Sequence, residues 1–234
     1  MNPTATIALW AGLFLITHVG ISSAAVRPRL VNAMGAQAYR GVYSLVSFAT
    51  FVPLILAFAY HKHAGVMLWN IRNIAVARWT VWVAMLIVFV FFAAGLMTPS
   101  PAGFGAEMSG TQKQSAAKGI LKVSRHPAFV AFSLFGFAHM LMNGFAGDLI
   151  FFGSFPAVAI FGGIHQDIRK RTEIGDPYRA IEASTSFFPG AALVDGRQHW
   201  TASDMPWKAI VVGVVLWLVV VMLHPMLFGG SPLG

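Results

Sequence analysis

The chain contains no cysteine. That absence excludes a disulfide framework, a thiolate metal centre and a cysteine nucleophile, and it leaves the redox compartment unreadable. Acidic residues are scarce too: Asp and Glu number 8 in 234 residues against 16 Lys and Arg, and charged residues of both signs make up 10% of the chain. A soluble domain carries about 25% charged residues, so water is not the main solvent of this protein. The formal charge of +8 is accounted for by basic residues flanking membrane helices, and no nucleic-acid partner is expected.

What the chain has in abundance is hydrocarbon. Hydrophobic residues are 57% of the total and the mean hydropathy is +0.69. A spanning helix uses roughly 20 residues, and six apolar runs of that order stand out, at about 7–25, 41–60, 79–98, 126–143, 148–165 and 207–227. The expected fold is all-α: a polytopic membrane protein, a bundle of about six transmembrane helices in one domain covering residues 1–234, with the lipid bilayer as its surroundings. The first run lacks the short basic opening of a secretory signal peptide and reads as a retained helix. Pro53 is expected to kink the second, and Trp79 and Trp82 suit an interfacial anchor at the third. The Gly- and Ser-containing stretch 102–122 reads as a loop with a short surface helix. Only Gly144–Gly147 separates the fourth and fifth runs, which predicts a tight antiparallel hairpin. Gln166–Pro206 is the longest polar region, with a helix end and a turn at Glu173–Pro177, and residues 229–234 read as a disordered tail.

Orientation follows from the distribution of Lys and Arg. With the N-terminus outside, thirteen face inward: Arg27, Arg29, Arg40, Lys113, Lys118, Lys122, Arg125, Arg169, Lys170, Arg171, Arg179, Arg197 and Lys208. Three, Lys62, Arg72 and Arg78, face outward. Both termini are therefore expected to be extracytoplasmic.

Histidines placed where polarity is costly are the informative residues: His18 in the first run, His139 in the fourth and His224 in the sixth. An ionisable group at membrane depth is a functional hypothesis by default; the competing reading is a neutral ring bonded to a carbonyl or hydroxyl of a neighbouring helix. Neutral imidazole is a common ligand of haem iron, and two histidines on facing helices can clamp a macrocycle. His18 lies roughly 4–5 Å to the inner side of its span centre and His139 a similar distance to the outer side, so either a shared haem tilts or the helix ends lie a few residues from the ends of the apolar runs. His126 and His165 belong near the inner surface. His61, His63 and His199 are expected to be solvated.

Five motifs occur in order: Tyr39-Arg40-Gly41-Val42-Tyr43-Ser44-Leu45, Ser124-Arg125-His126-Pro127, Phe137-Ala138-His139, Val194-Asp195-Gly196-Arg197-Gln198 and His224-Pro225. Together they resemble the NnrU family from about Leu13 to Pro225. That family includes bacterial proteins associated with denitrification and nitric-oxide metabolism, and it is similar to the plant 15-cis-ζ-carotene isomerases, membrane enzymes containing haem b. The resemblance implies a multi-pass protein of the bacterial inner (cytoplasmic) membrane that binds haem b through His18 and His139. It implies redox-gated cis–trans isomerisation of a 15-cis-ζ-carotene-like polyene once one ligand leaves the iron. The alternative it carries is a non-catalytic haem sensor or accessory protein whose iron takes a small gas such as NO. The plant enzymes have a cysteine one helical turn before the histidine matching His139; here that position is Gly136, so no mechanism using that thiol is open to this chain.

Arg40, Arg125 and His126 are placed near the inner ends of the bundle, where cations can meet haem propionates or snorkel to lipid phosphate. Arg125-His126-Pro127 followed by Gly175 and Tyr178 also resembles the isoprenylcysteine and phospholipid methyltransferases, which bind S-adenosylmethionine. Gln166-Asp167 stands where those enzymes have a Glu pair, and Ala131 where they have glycine. Asp195-Gly196-Arg197 is expected to form a turn closed by an internal ion pair, and Asp167 to pair with Arg171 one turn on.

Overall fold

In a computed structural model of the chain, residues 2–101 and 117–230 are described. Lys113, most of the expected 102–122 loop and the final four residues lie outside them. The described residues are helical, with no strand; the nearest approach to one is an isolated bridge between Met67 and Phe145. The helices are α1 (Pro3–Ile21), α2 (Arg27–Tyr60), α3 (Ala75–Met97), α4 (Pro127–Met142), α5 (Ala146–Glu173), α6 (Asp176–Ser184), α7 (Ala191–Val194) and α8 (Trp207–Phe228). Among the described residues, α1, α2, α3, α5 and α8 are long and apolar enough to cross a membrane, and the protein is a multi-pass membrane protein. With 16 residues, α4 is about 24 Å long, short of a hydrocarbon core of about 30 Å.

Two helices run beyond their apolar runs. α2 has 34 residues and starts at Arg27 rather than near Gly41. Its break falls at Gly35, where φ is 82°, a value that glycine adopts without a Cβ penalty. Pro53 is retained inside the helix. α5 continues eight residues past His165, because Gln166–Glu173 consists mostly of residues that favour helix and no breaker comes before Gly175, at φ 74°. Hydropathy marks where a chain leaves the membrane; the helix ends only where its hydrogen bonding is interrupted.

The chain divides into two compact units. The first comprises residues 1–78 and 135–169, the second residues 79–134 and 170–234. In the first unit Asn2 caps α1 by accepting the Thr4 N–H at 2.9 Å, with Pro3 opening the helix. Its core joins Ile7 and Ala11 of α1, Leu54 and Ala57 of α2, and Phe151 and Phe152 of α5, surrounded by Trp10, Phe14, Phe51, Phe58, Phe135 and Phe155. The expected hairpin is present: three residues join α4 to α5, and Gly136 lets the two helices meet. A Cβ there would sit 2.5 Å from the Phe152 carbonyl oxygen and 2.4 Å from Pro156 Cδ.

The loop after α2 is bonded along the hairpin turn. The Gly147, Ala146 and Leu68 amides donate to the Ala64, Val66 and Gly144 carbonyls at 2.9, 3.0 and 2.8 Å. Trp69 Nε1 donates to the Leu141 carbonyl, and Arg72 to the Met142 carbonyl and the Asn143 side chain. These bonds satisfy the carbonyls that the end of α4 leaves without intrahelical partners.

In the second unit, Ala93 and Ala94 of α3 pack with Ile120 and Ala209. A Cβ on Gly213 of α8 would lie 2.7 Å from Val90 Cα, and one on Gly95 of α3 would lie 2.8 Å from the Ala128 amide. Close approach through small residues is how membrane helices gain packing energy where lipid offers no hydrophobic drive.

Asp204, in the short turn Ala202–Asp204, takes a bond from Lys122 Nζ at 2.8 Å, others from the Thr201 side chain and amide, and one from the Gly119 amide. The Lys122 bond first, then Thr201, holds its carboxyl far below the usual carboxylate range. A depressed native pKa contributes stability above the ordinary value of about 4 and loses it as pH falls through the native one. The protection factors of the Gly119 and Thr201 amides, exchange corrected for its intrinsic pH dependence, are therefore expected to fall as pH drops below about 4, and Asp204→Asn should abolish that acid dependence.

Candidate functional site

His18 stands in the last turn of α1, facing two hydroxyls one turn apart on α2. Its Nε2 is 2.9 Å from the Tyr43 hydroxyl and its Nδ1 is 3.0 Å from the Ser47 hydroxyl. A neutral imidazole donates from one nitrogen and accepts at the other, and a hydroxyl serves either role. Both nitrogens are engaged, which answers the burial of a polar ring at membrane depth. Thr17 and Thr50 approach at 3.4 Å beside it, the Tyr39 hydroxyl donates to the Ile21 carbonyl, and Tyr39 stacks on Tyr43.

His139 lies in the last turn of α4. Its Nδ1 is 2.9 Å from the Phe135 carbonyl. A carbonyl only accepts, so Nδ1 carries the proton and Nε2 bears the lone pair, the tautomer in which a histidine binds a metal. Its ring stacks on Phe152 at 4.7 Å. Adjacent rings connect the two histidines: His18 to Phe14 at 5.0 Å, Phe14 to Phe51 at 4.8 Å, Phe51 to Phe155 at 6.3 Å, Phe155 to Phe135 at 5.0 Å and Phe135 to His139 at 4.2 Å. The result is a cluster of packed phenylalanines with a polar ring at each end. As iron donors the two imidazoles fit a haem in chemistry; His139 already has the ligating tautomer, and His18 offers Nε2 to a metal only when the Tyr43 hydroxyl moves away. No group of three or more His, Asp or Glu able to hold a metal ion occurs among the described residues.

The other expected site residues divide between the units. Arg40, in the first, is exposed and reaches Gln37 at 3.3 Å. Arg125 and His126, in the second, are buried. The Arg125 amide donates to the Ser186 carbonyl at 3.0 Å, and its guanidinium lies 3.7 Å from Glu182 and over the Phe187 ring. The His126 ring stacks on Phe129 and meets Phe187, and Ser124 Oγ donates to the Phe187 carbonyl. Ser124-Arg125-His126 therefore anchors the segment that follows α6.

Arg171 closes a bidentate pair on Glu182, at 2.6 and 2.5 Å. The expected turn at 195–197 is present: Arg197 Nε and Nη2 donate to Asp195 at 2.8 and 2.6 Å, with Gly196 at φ 79°. Arg197 Nη1 also reaches the Ala183 and Thr185 carbonyls, capping the end of α6. His224 Nδ1 bonds the Gly230 carbonyl at 2.6 Å and closes the end of its own helix.

One pair was missed from sequence. His63, expected to be solvated, is bonded to a fully buried Asp148: its amide reaches Oδ1 at 3.0 Å and its Nδ1 reaches Oδ2 at 2.7 Å. Asp148 is the only carboxylate in the first turn of α5, where an anion meets the positive end of the helix dipole. An acidic residue opening an apolar run was the available signal; its partner lies 85 positions away.

Comparison with known proteins places this geometry in context. The chain is 25% identical over 229 residues to the chloroplastic 15-cis-ζ-carotene isomerase of Zea mays, covering 94% of this chain and 59% of that protein. It is 26% identical over 203 residues to the Arabidopsis thaliana isomerase of the same name, covering 84% of this chain and 52% of that protein. It thus spans little more than half the length of these relatives. No solved structure matches it. A family profile described as NnrU protein matches residues 6–232, nearly end to end, and the chain belongs to the NnrU protein family.

Proposed function

We propose that this protein is a membrane-embedded cis–trans isomerase of a carotenoid-like polyene, carrying a haem b between His18 and His139. The observation that carries the isomerase reading is the alignment of nearly the whole chain with two plant 15-cis-ζ-carotene isomerases. The cluster of Phe14, Phe51, Phe135 and Phe155 is compatible with it, because a hydrocarbon polyene has no hydrogen-bonding group and is held by apolar, largely aromatic walls. When bound, haem b supplies a Lewis-acidic iron for a polyene double bond.

The rest of the proposal concerns the chain's own side chains. Phe135 fixes the His139 tautomer through its carbonyl, Tyr43 and Ser47 orient the His18 ring, and the phenylalanines exclude water from the surface between them. The working form is a single domain of six spans in a bacterial inner membrane, α4 included, with both termini outside, as the thirteen-to-three distribution of Lys and Arg favours.

The test is a bacterial host that accumulates 15-cis-ζ-carotene, grown in darkness to suppress photoisomerisation. Expression of the chain is expected to deplete the 15-cis isomer and raise the 15-trans isomer on chromatography. An unchanged isomer ratio, with the protein present in the membrane fraction, would reject the activity.

A further inference from the structure

In the loop after α2, Ala64-Gly65-Val66-Met67-Leu68-Trp69 is an uncharged, largely apolar run that lies outside the helices. Val66, Met67 and Leu68 are 66, 51 and 57% exposed. In water such side chains gain by turning inward, yet these are held outward. His63 on Asp148 pins the run on one side and Arg72 on Asn143 pins it on the other. Between them the Ala146 amide donates to the Val66 carbonyl and the Leu68 amide to the Gly144 carbonyl.

The helices around the run set its depth. α2 ends at Tyr60 and α5 begins at Ala146, and both are long and apolar enough to cross a membrane, so the loop stands at one membrane face. α4, whose end the loop caps, falls about 6 Å short of the hydrocarbon core. Its other end follows Arg125, which lies 3.7 Å from Glu182, and charged groups belong at the polar edge of a bilayer. The shortfall therefore falls at Met142. There Trp69 and Arg72 occupy the Leu141 and Met142 carbonyls, so this helix end does not need water and can lie below the headgroups.

We infer that residues 66–68 insert into the headgroup–acyl boundary of the membrane that the chain spans. Three observations select lipid over a protein partner. The run continues the lipid-facing sides of the neighbouring helices, where Leu56 and Tyr60 of α2 and Phe137 and Leu141 of α4 are exposed. Tyr60 precedes it and Trp69 closes it, and such rings concentrate at membrane interfaces. Its bonds to the hairpin turn satisfy backbone groups that a non-helical segment otherwise brings unpaired toward hydrocarbon. An exposed apolar patch of this kind marks a contact surface, and here the surface is continuous with the bilayer. The insertion does not depend on the isomerase reading.

The chain has no cysteine, so Val66→Cys and Leu68→Cys each supply a single thiol for a nitroxide label. In dioleoylphosphatidylcholine vesicles, power-saturation EPR compares collision with oxygen, which partitions into hydrocarbon, and with a nickel chelate, which stays in water. Both labels are expected to collide more with oxygen than with the chelate, as a label at Leu56→Cys on α2 should. A label at Asp176→Cys, where the native side chain is 96% exposed, should show the reverse. Dominant collision with the chelate at either position 66 or 68 would overturn the inference by placing the run in water. Spectral broadening at either position that disappears on dilution with unlabelled protein would also overturn it, because a second copy of the chain would then cover the run.

Discussion

Gly144→Ala is expected to be among the most destabilising single-methyl changes in the protein. The added Cβ would lie 2.0 Å from the Trp69 carbonyl oxygen and 2.9 Å from Trp69 Cδ1. The obstacle is mostly backbone, so no side-chain rotation relieves it; the loop after α2 must move off the hairpin turn. Doing so loosens the Leu68–Gly144 bond and the neighbouring donations from Trp69 and Arg72. Overpacking of this kind costs about 1–3 kcal/mol, and the lost backbone bonds add to it. Thermal unfolding in detergent, followed by tryptophan fluorescence, should show a clearly lower midpoint than wild type. Gly162→Ala is the matched comparison, because its Cβ meets nothing within 4 Å, and its midpoint should stay near that of wild type. Equal midpoints for the two variants would show that the loop does not depend on close contact at Gly144.

The second large effect concerns the proposed cofactor. His139→Ala is expected to remove most of the bound haem, because it deletes the imidazole whose tautomer the Phe135 carbonyl already sets for ligation. His18→Ala should also lower haem content. Tyr43→Phe should raise it, since the hydroxyl that competes for His18 Nε2 at 2.9 Å is gone while the ring remains. His61→Ala should leave it unchanged. Dithionite-reduced minus oxidised spectra with pyridine haemochrome quantification measure all four. Equal haem in His18→Ala, His139→Ala and His61→Ala would reject the assignment, and a colourless wild type that stays colourless after reconstitution would reject haem itself.

The two halves of the site differ in how legible they were. His18 and His139 stood out because each interrupts an apolar run, and an imidazole in hydrocarbon has to be satisfied or functional. Their partners did not stand out. Tyr43 and Ser47 are 25 and 29 residues from His18, and nothing in a linear pattern says which face of α2 turns toward α1. The same limit concealed His63 and Asp148, since a histidine in a short polar loop reads as solvated until the loop is seen against α5. Gly136 could be read either as a lost thiol position or as a packing residue, and the Phe152 carbonyl and Pro156 against it give it a packing role.

Composition alone determined that this is a helical membrane protein. Its apolar runs are long, its carboxylates few, and an isolated polar backbone is too costly in lipid for anything but helices or closed barrels. Ordered motifs along the chain were enough to place it in its family. Tertiary structure decided where α2 and α5 begin and end, because helix termini depend on local hydrogen bonding and backbone angles rather than on hydropathy. It also decided that Arg171 pairs with Glu182, that Arg197 caps α6, and that both nitrogens of His18 are taken. Such pairings join residues that sequence spacing does not relate, and they are selected by which helix faces come within about 3 Å of each other.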